Sequence, residues 1–463
     1  MSETPDTGRD ADGDESAASH VVTAFLRNRG ETLLLRRSDA VGTYTGQWGG
    51  VSGFAEGQPD EQVRIEIREE TGLASDAVSL VRSGRPIAFT DPALEREWVV
   101  HPYLFDCETR EIELSAEHDT IEWMSPTTML EGIGNDLETV PKLWTTYERV
   151  APTVRSIAAD DEHGAASLSV RALEVLRDRA GLLVAERREF GPDSDSEWDE
   201  LAELAGRLLE ARPSMAVLRN RVNRVMADAG GMDEGAPAVL ESALSGIDRA
   251  LSADADAANN ASSQIEGSVA TLSRSGTVLE ALRQGEPSRV FVAESRPACE
   301  GTAVAEELAA TTDSTVTVHT DAAVAHVLAR DNVDQVVVGA DTVLPDGAVV
   351  NKAGTRALAV AAAHEGIPVS AVAATDKISS RENVNLESGD RSAVYDGDAG
   401  LDVLNPIFDV TPAECVTEVV TERGALESAE IAAVAEELRE REDWRSDGGV
   451  AGREPTDRNP SGE

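Results

Sequence analysis

A chain of 463 residues is too long for a single core, and its 41% of apolar residues can build two or three domains. Acidic residues outnumber basic ones 86 to 41, and the net charge of −45 excludes non-specific adhesion to nucleic acid. No apolar run reaches the roughly eighteen residues of a membrane span, and Cys107, Cys299 and Cys415 are too dispersed for a zinc site or a disulfide framework.

Residues 1–19 read as an acidic, disordered tail without the apolar core of a secretory signal, so a cytoplasmic location is expected. Only Lys142, Lys352 and Lys377 are lysines, and carboxylates are spread evenly along the chain. That balance suits a halophilic protein, whose self-repulsion is screened by salt. Where lysine is this scarce, a retained lysine calls for a specific task.

Strand patterns begin at His20 with HVVTAFLRN and ETLLLRRS, parted by an Arg-Gly turn. After a glycine-rich stretch, Pro59 to Thr71 reads as a helix, opened by Pro59, Asp60 and Glu61 and stopped by Gly72. Further strands are expected at EWVVHPYLFDC, REIELS and TIEWMSP, with a short helix near 150. From 152 to 285 apolar residues recur at helical spacing. From 289 to 425 short apolar runs (RVFVAE, STVTVHT, QVVVGAD, PVSAVAA) alternate with helical segments, the signature of a parallel sheet buried on both faces. Ligands of such sheets sit beyond the carboxyl ends of the strands. The expected division is therefore a tail at 1–19, an α/β domain at 20–150, a helical subdomain at 151–285, a parallel-sheet subdomain at 286–430, and a terminal helix with a disordered tail at 431–463.

Two constellations carry chemistry. On the helix at 59–71, Glu69 and Glu70 lie roughly 60° and 40° either side of Glu66, so all three can face one way. Like charges near a helix C-terminus repel each other and oppose the helix dipole, a cost that a hard divalent cation reverses. A solvated acidic face explains the same spacing, and the spacing alone does not choose. In the later region, GADTVLPDGAVVNKAGT places Asp341 just past a strand, and Asn351-Lys352 before a helix start. An acid–base role for Asp341 and a phosphate site at Lys352 and the helix amides follow, against a turn cap and a surface cation.

The stretch Glu66-Ile67-Arg68-Glu69-Glu70-Thr71-Gly72-Leu73 resembles the second half of a Nudix box, with Gly53 as its opening glycine and Trp48, Gly49 and Gly50 before it. The resemblance covers about 20–150. It implies an α/β/α sandwich, a Mg (or Mn) ion held by Glu66, Glu69 and Glu70, and hydrolysis of a nucleoside-diphosphate derivative. The chain departs from the pattern at Ile65, where the family has arginine, and in a Gly53–Glu66 interval one residue short, with Gln58 nearest the lost glutamate.

Residues 150–425 resemble the superfamily of initiation factor 2B α/β/δ subunits, methylthioribose-1-phosphate isomerase and ribose-1,5-bisphosphate isomerase. The motifs are ARPSMAVL, ESRPACEG, GADTVLPDGAVVNKAGT and NPIFDVTP. The resemblance implies a helical part followed by a Rossmann-like part, a homodimer formed through this domain, and a nucleotide or sugar-phosphate ligand at Ser273, Arg296, Asp341, Asn351, Lys352 and Lys377. The isomerases pair a catalytic cysteine with the aspartate of GAD, here Asp341. Ser273 stands at the cysteine position, and His163-Gly164-Ala165 replaces the phosphate-contacting Arg-Gly-Ala. A hydroxyl is far less acidic than a thiol, so ligand binding without isomerisation is expected. Glu300 before Gly301 leans toward the initiation-factor branch. The alternatives are a non-catalytic regulatory protein related to initiation factor 2B and, last, an active aldose–ketose isomerase.

Overall fold

The computed structural model describes residues 18–447 except 132, 134–136, 161 and 385. The terminal tails expected at 1–19 and beyond the last helix fall almost wholly outside the described residues. The chain divides into two units, Met1–Ala151 and Pro152–Glu463.

The first unit carries β1 (Ser19–Asn28), β2 (Glu31–Arg37), β3 (Trp48–Gly49), β4 (Val51–Phe54), α1 (Pro59–Thr71), β5 (Val78–Ser83), β6 (Ile87–Asp91), β7 (Arg96–Cys107), β8 (His118–Met124) and α2 (Leu143–Glu148). β1 runs parallel to β7 and antiparallel to β2 and β4 in an eight-stranded sheet. Alternation along β1 divides the core in two. Val22, Ala24 and Leu26 pack with Val63 and Ile67 of α1, while Phe25 packs with Leu143 and Tyr147 of α2. A strand covered on both faces reads as a continuous apolar run, and the result is an α/β/α sandwich. α1 has the bounds its sequence predicts, with Pro59 in the first turn and Gly72 left-handed at φ 70° as the stop. The strand expected at REIELS does not form. Its backbone runs past the end of α1, where the Glu113 N–H donates to Thr71 O at 3.0 Å.

The second unit opens with α3 (Val154–Ala158), α4 (Ala165–Phe190), α5 (Ser194–Ala211), α6 (Ala216–Asp228) and α7 (Gly235–Ser262). It continues through β9 (Ser268–Leu272), α8 (Gly276–Gly285), β10 (Arg289–Ala293), α9 (Glu300–Thr311), β11 (Thr315–His319), α10 (Val324–Arg330), β12 (Gln335–Gly339), β13 (Thr342–Val343), β14 (Val349–Lys352), α11 (Thr355–Glu365) and β15 (Val369–Val372). It closes with β16 (Phe408–Thr411), β17 (Glu418–Thr421), β18 (Gly424–Leu426), α12 (Ser428–Glu440) and α13 (Trp444–Asp447). The main sheet runs β11-β10-β9-β12-β15-β17-β18, parallel except for β18. Val336 and Val338 face a core shared with α11 and α12, and Val337 faces one shared with α7, α8 and α9. A small antiparallel sheet, β13-β14-β16, stands beside it.

One expectation is corrected here. β9 lies inside the segment read as wholly helical, so the parallel sheet begins well before 286. Its five residues are too few to show a period, and they lie between two helices. β9 is central, because the strand order reverses between it and β12, and crevices at such a reversal are where open α/β sheets hold ligands.

Candidate functional sites

In the first unit, α1 turns Glu66 and Glu70 toward β4. Any side chain at 53 would overlap the Glu66 carboxyl, so Gly53 is what leaves that carboxyl its place against β4. Gln62, one turn earlier, donates Nε2–H to Glu66 Oε1 at 2.7 Å. Glu70 is 3% exposed, and the Ser52 N–H lies 3.3 Å from its Oε2. Burial, with repulsion from Glu66 and Glu117, pushes the Glu70 carboxyl up to about 9 against the pull of Ser52 and Arg37. Glu66 is also raised, by burial and then by Glu69, Glu117 and Glu56, against the Gln62 hydrogen bond. His118 Nε2 is 3.8 Å from Glu70 Oε2. Burial and the charge of Arg37 hold His118 down at about 4, so neither partner is charged at neutral pH without a cation.

Glu69 stands on the exposed surface of the same turn. Among the described residues no three His, Cys, Asp or Glu side chains are already drawn together as a metal cluster. The donor chemistry still fits a hard divalent cation: the Glu66 and Glu70 carboxyls share one side of α1, and burial, then repulsion from neighbouring glutamates, pushes both toward the neutral form. Arg64 and Arg68 do not replace the missing family arginine. Arg64 lies over the Phe105 ring at 5.4 Å, and both are exposed. The cation beside Glu70 is Arg37, at the end of β2, anchored by its Nε–H on Thr43 O at 2.9 Å. Sequence reasoning missed Arg37 and Gln62. Only the i,i+4 spacing of Gln62 and Glu66 signalled the second. Gln58 is the exposed N-cap residue of α1 and supports neither glutamate.

Beside this cluster Phe54 is 53% exposed, with its ring 6.1 Å from that of Trp98. Arg96 lies 5.1 Å over Trp98. Tyr44 completes the aromatic group from the preceding loop, its hydroxyl donating to Asp91 Oδ2 at 2.6 Å.

The second unit gathers its polar residues at the strand-order reversal. Ser273 follows β9, Asp341 follows β12, Lys377 follows β15, and Lys352 ends β14. The Ser273 hydroxyl donates to Glu300 Oε2 at 2.6 Å, and Lys352 Nζ donates to Glu300 Oε1 at 3.0 Å. Lys377 is 8% exposed, and its Nζ donates to Ala340 O at 2.7 Å. Desolvation raises the Asp341 carboxyl above the usual aspartate range. Lys377 and Lys352 oppose that rise, while Glu300 and Glu387 add to it. Glu387 in turn accepts from the Ser214 hydroxyl at 2.8 Å, bringing the ARPS motif toward the site. Glu300 and Glu387 were not among the expected ligand residues. Glu300 starts α9 in the ESRPACEG motif, whereas Glu387 lies in an irregular stretch without any pattern.

Other expected residues stand apart from this group. Asn351 is buried, and its Nδ2–H donates to Thr355 Oγ1 at 3.0 Å, bracing the entry to α11. The Arg296 guanidinium is exposed, with its backbone N–H on Asp321 Oδ2 at 2.7 Å. His163 is bound locally to Asp160 at 3.0 Å, which also holds Arg171 at 2.8 Å. The phosphate site expected at the α11 amides is corrected. Asp409, from the NPIFDVTP motif, accepts from Gly354 N at 2.7 Å and from Arg356 N at 3.1 Å, so this helix terminus already has its anion.

The pattern of the Initiation factor 2 subunit family matches residues 161–428, and that of the NUDIX domain matches 18–143. The chain belongs to the initiation factor 2 subunit family. Its N-terminal unit is a NUDIX domain. A ribose 1,5-bisphosphate isomerase of Haloterrigena turkmenica is 33% identical over 320 residues, covering 62% of this chain and 93% of that protein. A methylthioribose-1-phosphate isomerase of Pseudomonas aeruginosa is 29% identical over 355 residues, covering 69% and 95%. Among solved structures, the Pyrococcus horikoshii OT3 translation initiation factor eIF-2B is 27% identical, covers 59% of this chain and 94% of that one, and gives a TM-score of 0.49. Within this family member the group around Asp341 offers a carboxyl raised toward its protonated form, a buried ammonium and a serine hydroxyl. Ser273 supplies no thiolate to this set. No helix among the described residues is long and apolar enough to cross a membrane.

Proposed function

We propose that the NUDIX unit is a Mg- or Mn-dependent hydrolase of a nucleoside-diphosphate derivative, and that the family domain binds a nucleotide or sugar phosphate without isomerising it. The observation that carries the first part is Glu70: a carboxyl 3% exposed and facing Glu66 and Glu117 is raised to about 9 despite the nearby Arg37, a cost that a bound divalent ion would offset. Glu66, Glu69 and Glu70 would hold the ion. When bound, such an ion neutralises diphosphate charge and makes water a stronger nucleophile at neutral pH. The chain's own residues do the rest. Gln62 and the bare Cα of Gly53 orient Glu66. Arg37 offsets charge near Glu70. The Phe54 ring, 53% exposed and backed by Trp98, offers a stacking face for a base, two residues beyond the Ser52 amide that meets Glu70.

In the family domain, Lys352 and Lys377 supply charge for a phosphate, and Asp341 and Ser273 contact the sugar, with Asn351 and Arg296 shaping the surrounding loops. A homodimer through this domain, a halophilic and cytoplasmic setting and no affinity for nucleic acid belong to the same reading. The relatives named as isomerases raise aldose–ketose isomerisation as a further reading, which the serine at 273 disfavours. A non-catalytic regulatory protein is the second reading, favoured by Ile65 in place of the family arginine and by Gln58 nearest the lost glutamate.

The test is a screen of the full chain in molar potassium chloride with Mg²⁺ against nucleotide sugars, ADP-ribose and dinucleoside polyphosphates. Release of nucleoside monophosphate that falls at least a hundredfold in Glu69→Gln and in Glu70→Gln supports the hydrolase. No turnover by the parent chain leaves the regulatory reading. Conversion of ribose 1,5-bisphosphate that is lost in Asp341→Asn would establish the isomerase instead.

A further inference from the structure

A second polar cavity of the family domain lies between α6, α7, the turn after β17 and the end of α12, with a volume of about 380 Å³. Its walls carry four arginines: Arg224, Arg249, Arg423 and Arg441. Three carboxylates, Asp228, Asp256 and Glu422, also line it, and Arg423 gives its Nη1 to Glu437, outside the lining, at 3.1 Å. Asp228 is divided between two arginines, taking Arg249 Nη1 at 3.3 Å and Arg441 Nη1 at 2.6 Å. Glu422 is committed to the Thr375 backbone N–H at 2.9 Å and to the Thr375 hydroxyl. Arg224 is 9% exposed and meets Asp376 Oδ1 at 2.6 Å, while Asp376 is shared with Arg221 Nε at 3.0 Å. A guanidinium carries five N–H donors, and Arg249 and Arg441 each give Asp228 a single nitrogen.

We infer that this cavity is a binding site for a phosphate-class oxyanion, separate from the group around Asp341. Convergent arginines of different helices form the planar, multidentate donor set that phosphate oxygens fit, and a doubly charged oxyanion satisfies several at once where Asp228 satisfies two. Electrostatics agree with the geometry. Burial lowers the pKa of Arg224 despite Asp376, and Arg441 and Arg249 lower it further, so these guanidiniums are near enough to repel one another. The cavity adjoins the other site through a single turn. Thr375 lines it, Asp376 pairs with Arg224, and Lys377 reaches Ala340 beside Asp341.

The test is calorimetric titration of inorganic phosphate into the full chain at fixed high potassium chloride, so that chloride competes equally throughout. Arg249 and Arg441 are partly exposed, at 44% and 36% of their side chains, so Arg249→Gln/Arg441→Gln should leave the fold intact. Phosphate affinity is expected to fall at least tenfold in that double variant while a binding event of parental affinity persists in Lys352→Met. If the double variant unfolds, Arg423→Gln, a single change at a side chain 43% exposed, is expected to weaken phosphate several-fold. Undiminished binding in a folded double variant, or in Arg423→Gln when that variant is the one used, overturns the inference. So does loss of all phosphate binding in Lys352→Met, which assigns the anion to the Asp341 site, and so does no phosphate binding at all in the parent chain.

Discussion

Replacing Glu70 by glutamine should stabilise the cation-free protein, although it removes a residue on which activity is proposed to depend. The carboxyl is raised from an ordinary 4.5 to about 9, mainly by burial. Because the folded pKa is the higher one, the folded state binds the extra proton. The contribution of this group to stability is therefore complete below pH 4.5 and is lost progressively as pH rises toward 9. At pH 7 the unfolded carboxylate is ionised while the folded one must take up a proton, a penalty of about 3 kcal/mol at ~1.4 kcal/mol per pH unit. Glutamine keeps the shape and neutrality without that penalty. Glu66, Glu117, Arg37 and His118 face the same group and are retained in the variant, so the difference between the two pH profiles reports on Glu70. Four of the six tryptophans, Trp48, Trp98, Trp123 and Trp144, lie in the first unit. Fluorescence-detected urea unfolding in chelator from pH 5 to 9 thus reports mainly on that unit. The parent protein should lose stability across this range relative to Glu70→Gln. Saturating Mg²⁺, at about a hundred times its Kd, should restore about 3 kcal/mol to the parent and little to the variant. Parallel pH profiles, or an equal response to Mg²⁺, would refute the reasoning.

Gly53→Ala should cut hydrolysis at least tenfold, because the added methyl overlaps the Glu66 carboxyl. Steady-state assays beside an unfolding curve separate this from loss of the fold. Glu300→Gln should tighten ribose 5-phosphate binding about fivefold, since Glu300 now occupies both the Lys352 ammonium and the Ser273 hydroxyl that a phosphate would use. Calorimetry checks it, and weaker binding would count against the assignment. Asp376→Asn should cost the second unit about 3–5 kcal/mol, because Arg221 and Arg224 would be left buried without their shared anion. Its thermal midpoint should fall accordingly.

The layers of the molecule were legible where residues punctuate the chain. Pro59 and Gly72 fix both ends of α1, and runs such as QVVVG declare strands covered on two sides. β9 was illegible because five residues between two helices carry no period, yet it places Ser273. Helical geometry allows the three α1 acids a common face, but it does not say which of them the sheet buries. Glu70 is buried and Glu69 exposed because Ser52 and Gly53 of β4 lie on one side only, a tertiary fact. Arg37, Glu300 and Glu387 reach their sites from distant segments, and nothing local marks them. At α11 the local reading gave the helix amides to a phosphate and missed Asp409, which arrives from more than fifty residues away to cap them.

Binding of Mn²⁺ by the full chain, followed by the loss of its free paramagnetic signal, tests the account most directly. One ion should bind with micromolar affinity, and Glu66→Gln/Glu70→Gln should weaken it at least a hundredfold while the family domain unfolds unchanged. Parental affinity in that variant, or no ion taken up by the parent chain, would contradict a metal-dependent hydrolase.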